Sequence, residues 1–180
     1  SSFKNMLALV PEQYSGNLSK VNTTGDFNLN GTVNGILNEK TIPKFDINIA
    51  STNAMFKYAD LPKAVKNIEI NTKILNASGN TNDTRVDIKK LSFTIDQDAF
   101  TANGKIYNIS KNPKINLSAK GTIDLANISK VYPIDLKKNI SGVLTANVAT
   151  SFDMESVEKG AYQHIKNSGN LSLNGFTYKG

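Results

Sequence analysis

The chain has 180 residues, no cysteine, 21 Lys and Arg against 15 Asp and Glu, and a formal net charge of +6. That length suits one domain or one segment of a larger protein, and the lack of cysteine excludes disulfides and thiolate chemistry. The basic residues are almost all lysine and are scattered, with Arg85 the single arginine; base readout and phosphate tracking favour clustered arginine, so nucleic acid is not an expected partner.

No run approaches the roughly 18 apolar residues of a membrane span, and no signal segment is recognisable. The chain opens on Ser1-Ser2 and closes on Gly180, which reads as a fragment whose membrane anchor, if any, lies elsewhere. Asn-x-Ser/Thr triplets recur, at Asn17, Asn76, Asn116 and Asn170 among others. Several fall inside strand-like segments, which points to a bacterial rather than a eukaryotic secretory origin.

In chain order, residues Phe3 to Leu9 carry a short helical pattern that Pro11 ends. Strand patterns follow almost without interruption. Residues Asp26 to Val33 alternate, as do Phe45, Ile47 and Ile49. Ala54, Phe56 and Tyr58 continue on the opposite parity after Ser51-Thr52-Asn53, and Ile68, Ile70, Thr72 and Ile74 make the next strand. Val86 and Ile88 share one parity and Leu91, Phe93 and Ile95 the other, so the face flips at Lys89-Lys90, the mark of a β-bulge.

Asp96-Gln97-Asp98 predicts a tight turn into the strand of Phe100 to Ile106, and Tyr107 to Pro113 a longer turn into Ile115 to Leu125. Leu125 to Val131 predicts a short helical turn. Strands containing Gly142 to Val148 and Gly169 to Gly175 are separated by a helical excursion over about 153–166, with Asp153 or Ser156 as cap and Val157, Tyr162 and Ile165 available for packing. Helices do not alternate with strands, so the expected fold is mainly β: a long, strongly curved antiparallel meander forming a groove or partly open barrel, with a few short helices, as one β-rich segment over 1–180.

Chemistry-bearing constellations are missing. His164 is the single histidine, and any Ser-His nucleophile pair depends on it; an ordinary surface or packing role is the simpler reading. Asp96 and Asp98 form the nearest carboxylate pair, but aspartates in a turn serve local hydrogen bonds, and no glutamate closes a calcium-type loop behind them. Neither catalytic residues nor a metal or cofactor site are expected, and the chain is read as non-enzymatic.

What remains is the dry face. Phe27, Leu29, Val33, Phe45, Ile47, Ile49, Ile68, Ile70, Ile74, Phe93, Ile95, Ile106, Ile115, Leu117, Ile123, Leu144, Val148, Leu171 and Leu173 all fall on the apolar parity of their strands. A half-buried sheet must cover that face with another layer. Few helices are on offer, so either the sheet folds over itself or a hydrophobic ligand completes the burial. Gly31, Gly104 and Gly121 sit mid-strand on the same parity. They are either curvature glycines of a strongly curled sheet or corner glycines of an ordinary barrel or sandwich.

The segments Leu7 to Tyr14, Gly25 to Gly35, Pro43 to Ile49 and Ala54 to Ile68, followed by Gly104 to Asn108, Pro113 to Leu125 and Ser168 to Leu171, resemble in their order the AsmA family of Gram-negative envelope proteins. The resemblance implies a periplasmic body anchored in the inner membrane by a helix outside this sequence. It also implies likeness to repeating β-groove, bridge-like lipid-transfer proteins, whose curled sheet presents an apolar trough to acyl chains. On that footing the apolar-parity residues above line a groove for phospholipid tails moving between inner and outer membranes. The alternative is a structural or interaction module with a closed apolar core, binding other envelope proteins and supporting outer-membrane assembly.

Overall fold

The computed structural model describes residues 21–133 and 139–179. The helical pattern at 3–9 lies outside the described residues. Every long segment of alternating parity forms a strand: β1 (Val21–Thr24), β2 (Phe27–Asn34), β3 (Lys44–Tyr58), β4 (Val65–Asn76), β5 (Arg85–Ile95), β6 (Asp98–Tyr107), β7 (Lys114–Asp124), β8 (Asn139–Asp153) and β9 (Lys166–Lys179). They make one nine-stranded sheet in the order β1-β3-β4-β5-β6-β7-β8-β9, with β2 also paired to β3. Each pairing is antiparallel, and the sheet does not close. An open sheet excludes the corner glycines of a closed barrel.

β1 and β2 are one edge, broken at Gly25-Asp26, because β1 pairs with the C-terminal part of β3 and β2 with its N-terminal part. Gly25 has a φ of +97°, and a Cβ there would stand 2.7 Å from the Ala54 Cα. Opposite it, β3 and β4 change register near Asn53 and Asn67, at φ of 53° and 51°. Asparagine tolerates this left-handed geometry, so the flip of parity after Ser51 is a bulge that keeps Ala54 and Phe56 on the original physical face. The Lys89-Lys90 flip in β5 is a bulge as well: Ile88 pairs with Gly104 and Leu91 with Ala102, so two residues face one. Bulges in successive strands bend the sheet.

Glycine acts on the same geometry. A Cβ at Gly31 would lie 2.1 Å from the Asp46 carbonyl oxygen, at Gly104 2.3 Å from that of Asn116, and at Gly121 2.4 Å from that of Ala99. Neighbouring backbone therefore approaches more closely there than any side chain allows.

Helical cover is small. The β7–β8 connection carries a 3₁₀ turn (Leu125–Asn127) and then α1 (Ile128–Val131). Val131 is buried against Phe27, Ala54, Val65, Ile68 and Ile95, with Tyr132 packed beside them. Tyr132 meets Tyr58 edge-to-face at 5.8 Å, and burial, then Tyr132 itself, pushes the Tyr58 hydroxyl above its usual pKa so that it stays neutral. Polar ties hold α1 in place. Lys63 donates its backbone N–H to the Lys130 carbonyl at 3.1 Å, and its ammonium bonds Asn127 Oδ1 at 2.7 Å and pairs with Asp96. Asp98 accepts from the Asp124 and Asn127 nitrogens. The Asp96-Asp98 turn thus anchors this plug, and it is a two-residue hairpin with Asp96 at φ 52°.

The second excursion lies between β8 and β9, where about 153–166 was expected. It comprises α2 (Met154–Glu158) and a 3₁₀ turn (Tyr162–His164), and Lys166 already belongs to β9. Gly160, at φ +66°, ends the helix before it can extend. Tyr162 does not pack inward, being 66% exposed.

Two outcomes follow for stability. Truncating Val131→Ala removes the apolar knob of the plug and lowers unfolding free energy by about 2 kcal/mol in a urea titration. Gly104→Val drives a side chain into the Asn116 carbonyl, and a loss of about 1–3 kcal/mol is expected in the same titration; an unchanged midpoint would contradict the close approach described.

Candidate functional site

Because antiparallel partners share a face, the pairing register fixes which side chains lie together. One row across the sheet reads Gly31, Ile47, Ile74, Val86, Ile106, Ile115, Phe152. The next reads Leu29, Ile49, Thr72, Ile88, Gly104, Leu117, Thr150, Asn167, and a third Phe27, Ser51, Ile70, Leu91, Ala102, Ala119, Val148, Gly169. Further along, Phe93, Phe100, Gly121, Ala146 and Leu171 share a row, and Ile123, Leu144 and Leu173 another. Val33 pairs with Phe45 at the β2 edge. All the residues assigned to the dry face by parity therefore share one continuous surface.

That surface has two regions. Phe27, Ile68 and Ile95, at 8%, 5% and 4% exposure, lie in the core beneath α1, where protein already covers them. Ile49, Ile70 and Phe93 pack against the rim of that core. Phe45, Ile47, Ile74, Ile106, Ile115, Leu117, Ile123, Leu144 and Val148 are half-buried. Leu29, Val33, Leu171 and Leu173, on the two edges, are 47%, 65%, 65% and 43% exposed. The dry face is plugged at the end where β5 turns into β6 and uncovered toward its edges.

Between β6 and β9 this face is built from small residues: Ala102 and Gly104, Ala119 and Gly121, Ala146, and Gly169. Bulky side chains flank them, Ile115, Leu117 and Phe152 on one side, Ile123, Leu144 and Leu173 on the other. The dry-face residues named from the sequence leave out the small Ala102, Ala119 and Ala146, and also Val86, Ile88, Leu91, Phe100 and Phe152, although their parity marks them equally. The face is not wholly apolar. Ser51 satisfies its buried hydroxyl by donating to the Asp26 carbonyl at 2.9 Å. Buried Asn76 bonds the Asn80 carbonyl, the Thr84 hydroxyl and the Gly79 N–H, which orders the β4–β5 loop.

The one serine–histidine contact is a helix cap. Ser156 Oγ lies 3.3 Å from His164 Nδ1 but stands 2.8 Å from Asp153 Oδ2, to which it donates. In a nucleophilic triad the carboxylate orients the far ring nitrogen of the base. Here Asp153 instead accepts from the Ser156 N–H and from Asn112 Nδ2, as the N-cap of α2. The Asn112 bond, then the two from Ser156, hold its carboxyl at about 2, well below the usual value.

Among the described residues no three His, Cys, Asp or Glu side chains gather as metal ligands, and no helix is long and apolar enough to cross a membrane. No family model matches the chain, and neither a curated protein nor a solved structure matches it.

Asp153 sets an acid-sensitivity test. Its carboxyl binds protons less readily in the fold than in the unfolded chain, so the cap stabilises above about pH 4 and this contribution fades as pH falls toward about 2. Asp153→Asn should flatten that part of the stability-versus-pH curve, measured by urea midpoints between about pH 2 and 5, while leaving the shape above about pH 5 unchanged.

Proposed function

We propose that the chain is a non-enzymatic segment of a Gram-negative envelope protein of the AsmA type, and that its dry face binds or conducts phospholipid acyl chains between the inner and outer membranes. The observation that carries this reading is the uncovered apolar surface itself: one face shared by all the strands, plugged at one end, floored by small residues between β6 and β9, and exposing Leu29, Val33, Leu171 and Leu173 at its edges. Soluble proteins rarely leave a contiguous apolar surface uncovered unless something binds it.

The energetic need is specific to lipid tails. At ~0.8 kcal/mol per CH₂, an acyl chain of about 16 carbons costs roughly 12 kcal/mol to expose to water. Half-buried Ile115, Leu117, Ile123 and Leu144 offer it branched aliphatic contacts, and the alanines and glycines between them leave room for a chain without displacing side chains. Binding of this kind is non-directional, so it needs no catalytic group. Placement in the periplasm, with an inner-membrane anchor outside this sequence, belongs to the same proposal.

Native mass spectrometry of the protein purified from a Gram-negative host tests it. Phospholipid adducts are expected, and Leu117→Asp should cut the lipid-bound fraction at least about tenfold by setting a carboxylate among the tails. Asn116→Asp, on the opposite face, should leave it unchanged. Absence of adducts, with no displaceable uptake of an apolar dye, would favour a module whose apolar face is closed by protein.

A further inference from the structure

Few cations on the polar face of the sheet are ion-paired. On β3 to β5 Lys73 pairs with Asp46 and Lys90 with Glu69, while Lys57, Lys66 and Arg85 make no ion pair among the described residues. From β6 to β9 that face carries Lys105 and Lys120 mid-strand and Lys166 at the start of β9, among asparagines, serines and threonines; the carboxylate next to them in register is Asp87 of β5, opposite Lys105. None of these three lysines makes an ion pair among the described residues.

Lys105 and Lys166 stand at the two sides of one hollow of about 440 Å³. The register places them on a single row, Lys105 to Asn116 to Ser151 to Lys166, three strand spacings apart. At ~4.8 Å per spacing the two backbones are roughly 14 Å apart, a gap that two lysine side chains can span from opposite sides to one ligand. Between them Ser151 Oγ donates to Asn116 Oδ1 at 2.6 Å. That bond engages the amide oxygen and leaves its NH₂ available as a donor. Asn103, Ser118 and Ser168 add polar groups, and the row between, with Gly104, Leu117, Thr150 and Asn167, also lines the hollow.

We infer that this hollow binds an anionic saccharide, a sugar unit bearing a carboxylate or phosphate. Two ammonium groups that make no ion pair among the described residues, and an amide NH₂ between them, form a donor set complementary to an oxyanion. The volume falls in the range of small-molecule sites rather than that of a bare ion, and the flanking hydroxyls and amides match a ring of sugar hydroxyls. Neutral sugars are disfavoured because no aromatic ring lines the hollow to stack on them, and the same lack disfavours single-stranded nucleic acid. The site lies on the face opposite the apolar one and does not depend on lipid binding.

Isothermal titration of the whole chain at low salt tests the inference, with an oligogalacturonate and glucose 6-phosphate as the two anionic probes, and maltooligosaccharide, inorganic phosphate and a single-stranded oligonucleotide as controls. At least one anionic sugar should bind, with affinity falling at least about tenfold in the Lys105→Gln, Lys166→Gln double variant, whose circular dichroism should match the parent. The two probes distinguish carboxylate from phosphate recognition. The inference is overturned if neither probe binds, if the double variant binds as well as the parent, or if a control binds as tightly as the anionic sugars.

Discussion

A β-sheet with one dry face is physically incomplete until that face is covered, and this requirement organises the rest of the molecule. Here the strands of the described residues share a single sheet, and these residues supply no second sheet to pack against it. Among the described residues, local helical cover amounts to α1, whose Val131 closes one end over Phe27, Ala54, Val65, Ile68 and Ile95. The Lys63, Asp96, Asp98 and Asn127 contacts fix that plug from three connections at once. Away from it, the apolar side chains are only half-buried or exposed.

The sheet bends rather than stacks. Bulges at Asn53, Asn67 and Lys89-Lys90 absorb extra residues in successive strands without turning apolar side chains to the polar face. Gly31, Gly104 and Gly121 permit carbonyl groups to approach where a Cβ would collide. Curvature therefore has two local sources, one that inserts residues and one that removes side chains. Both act while the backbone ladder stays paired.

Two faces with different chemistry offer two kinds of recognition. The dry face is suited to chains whose exposure to water is costly and whose shape is variable, because dispersion and solvent exclusion have no fixed direction. The polar face between β6 and β9 holds lysines that make no ion pair among the described residues, and charge-assisted bonds there do depend on position. Neither kind needs His164, whose partner Ser156 is committed to capping α2 through Asp153.

Strands, their dry parity and the bulge at Lys89-Lys90 were legible from local sequence, because alternation over residues such as Ile115 to Leu125 leaves one assignment in which apolar groups share a face. The short turn at Asp96-Gln97 and the helical turn from Leu125 to Val131 were equally local. The second excursion over about 153–166 was legible too, though Gly160 splits it into a helix and a 3₁₀ turn, and the inward role expected of Tyr162 fails since nothing in its own neighbourhood dictates packing. The small-residue floor of Ala102, Ala119 and Ala146 escaped notice, as an alanine signals nothing until its cross-strand partners are known. Sequence alone determined which side of each strand is dry. Only the tertiary structure decided that Phe27, Ile68 and Ile95 are covered by α1 while Leu29, Val33, Leu171 and Leu173 remain uncovered, because cover comes from residues distant in the chain, and parity carries no information about what lies across the face.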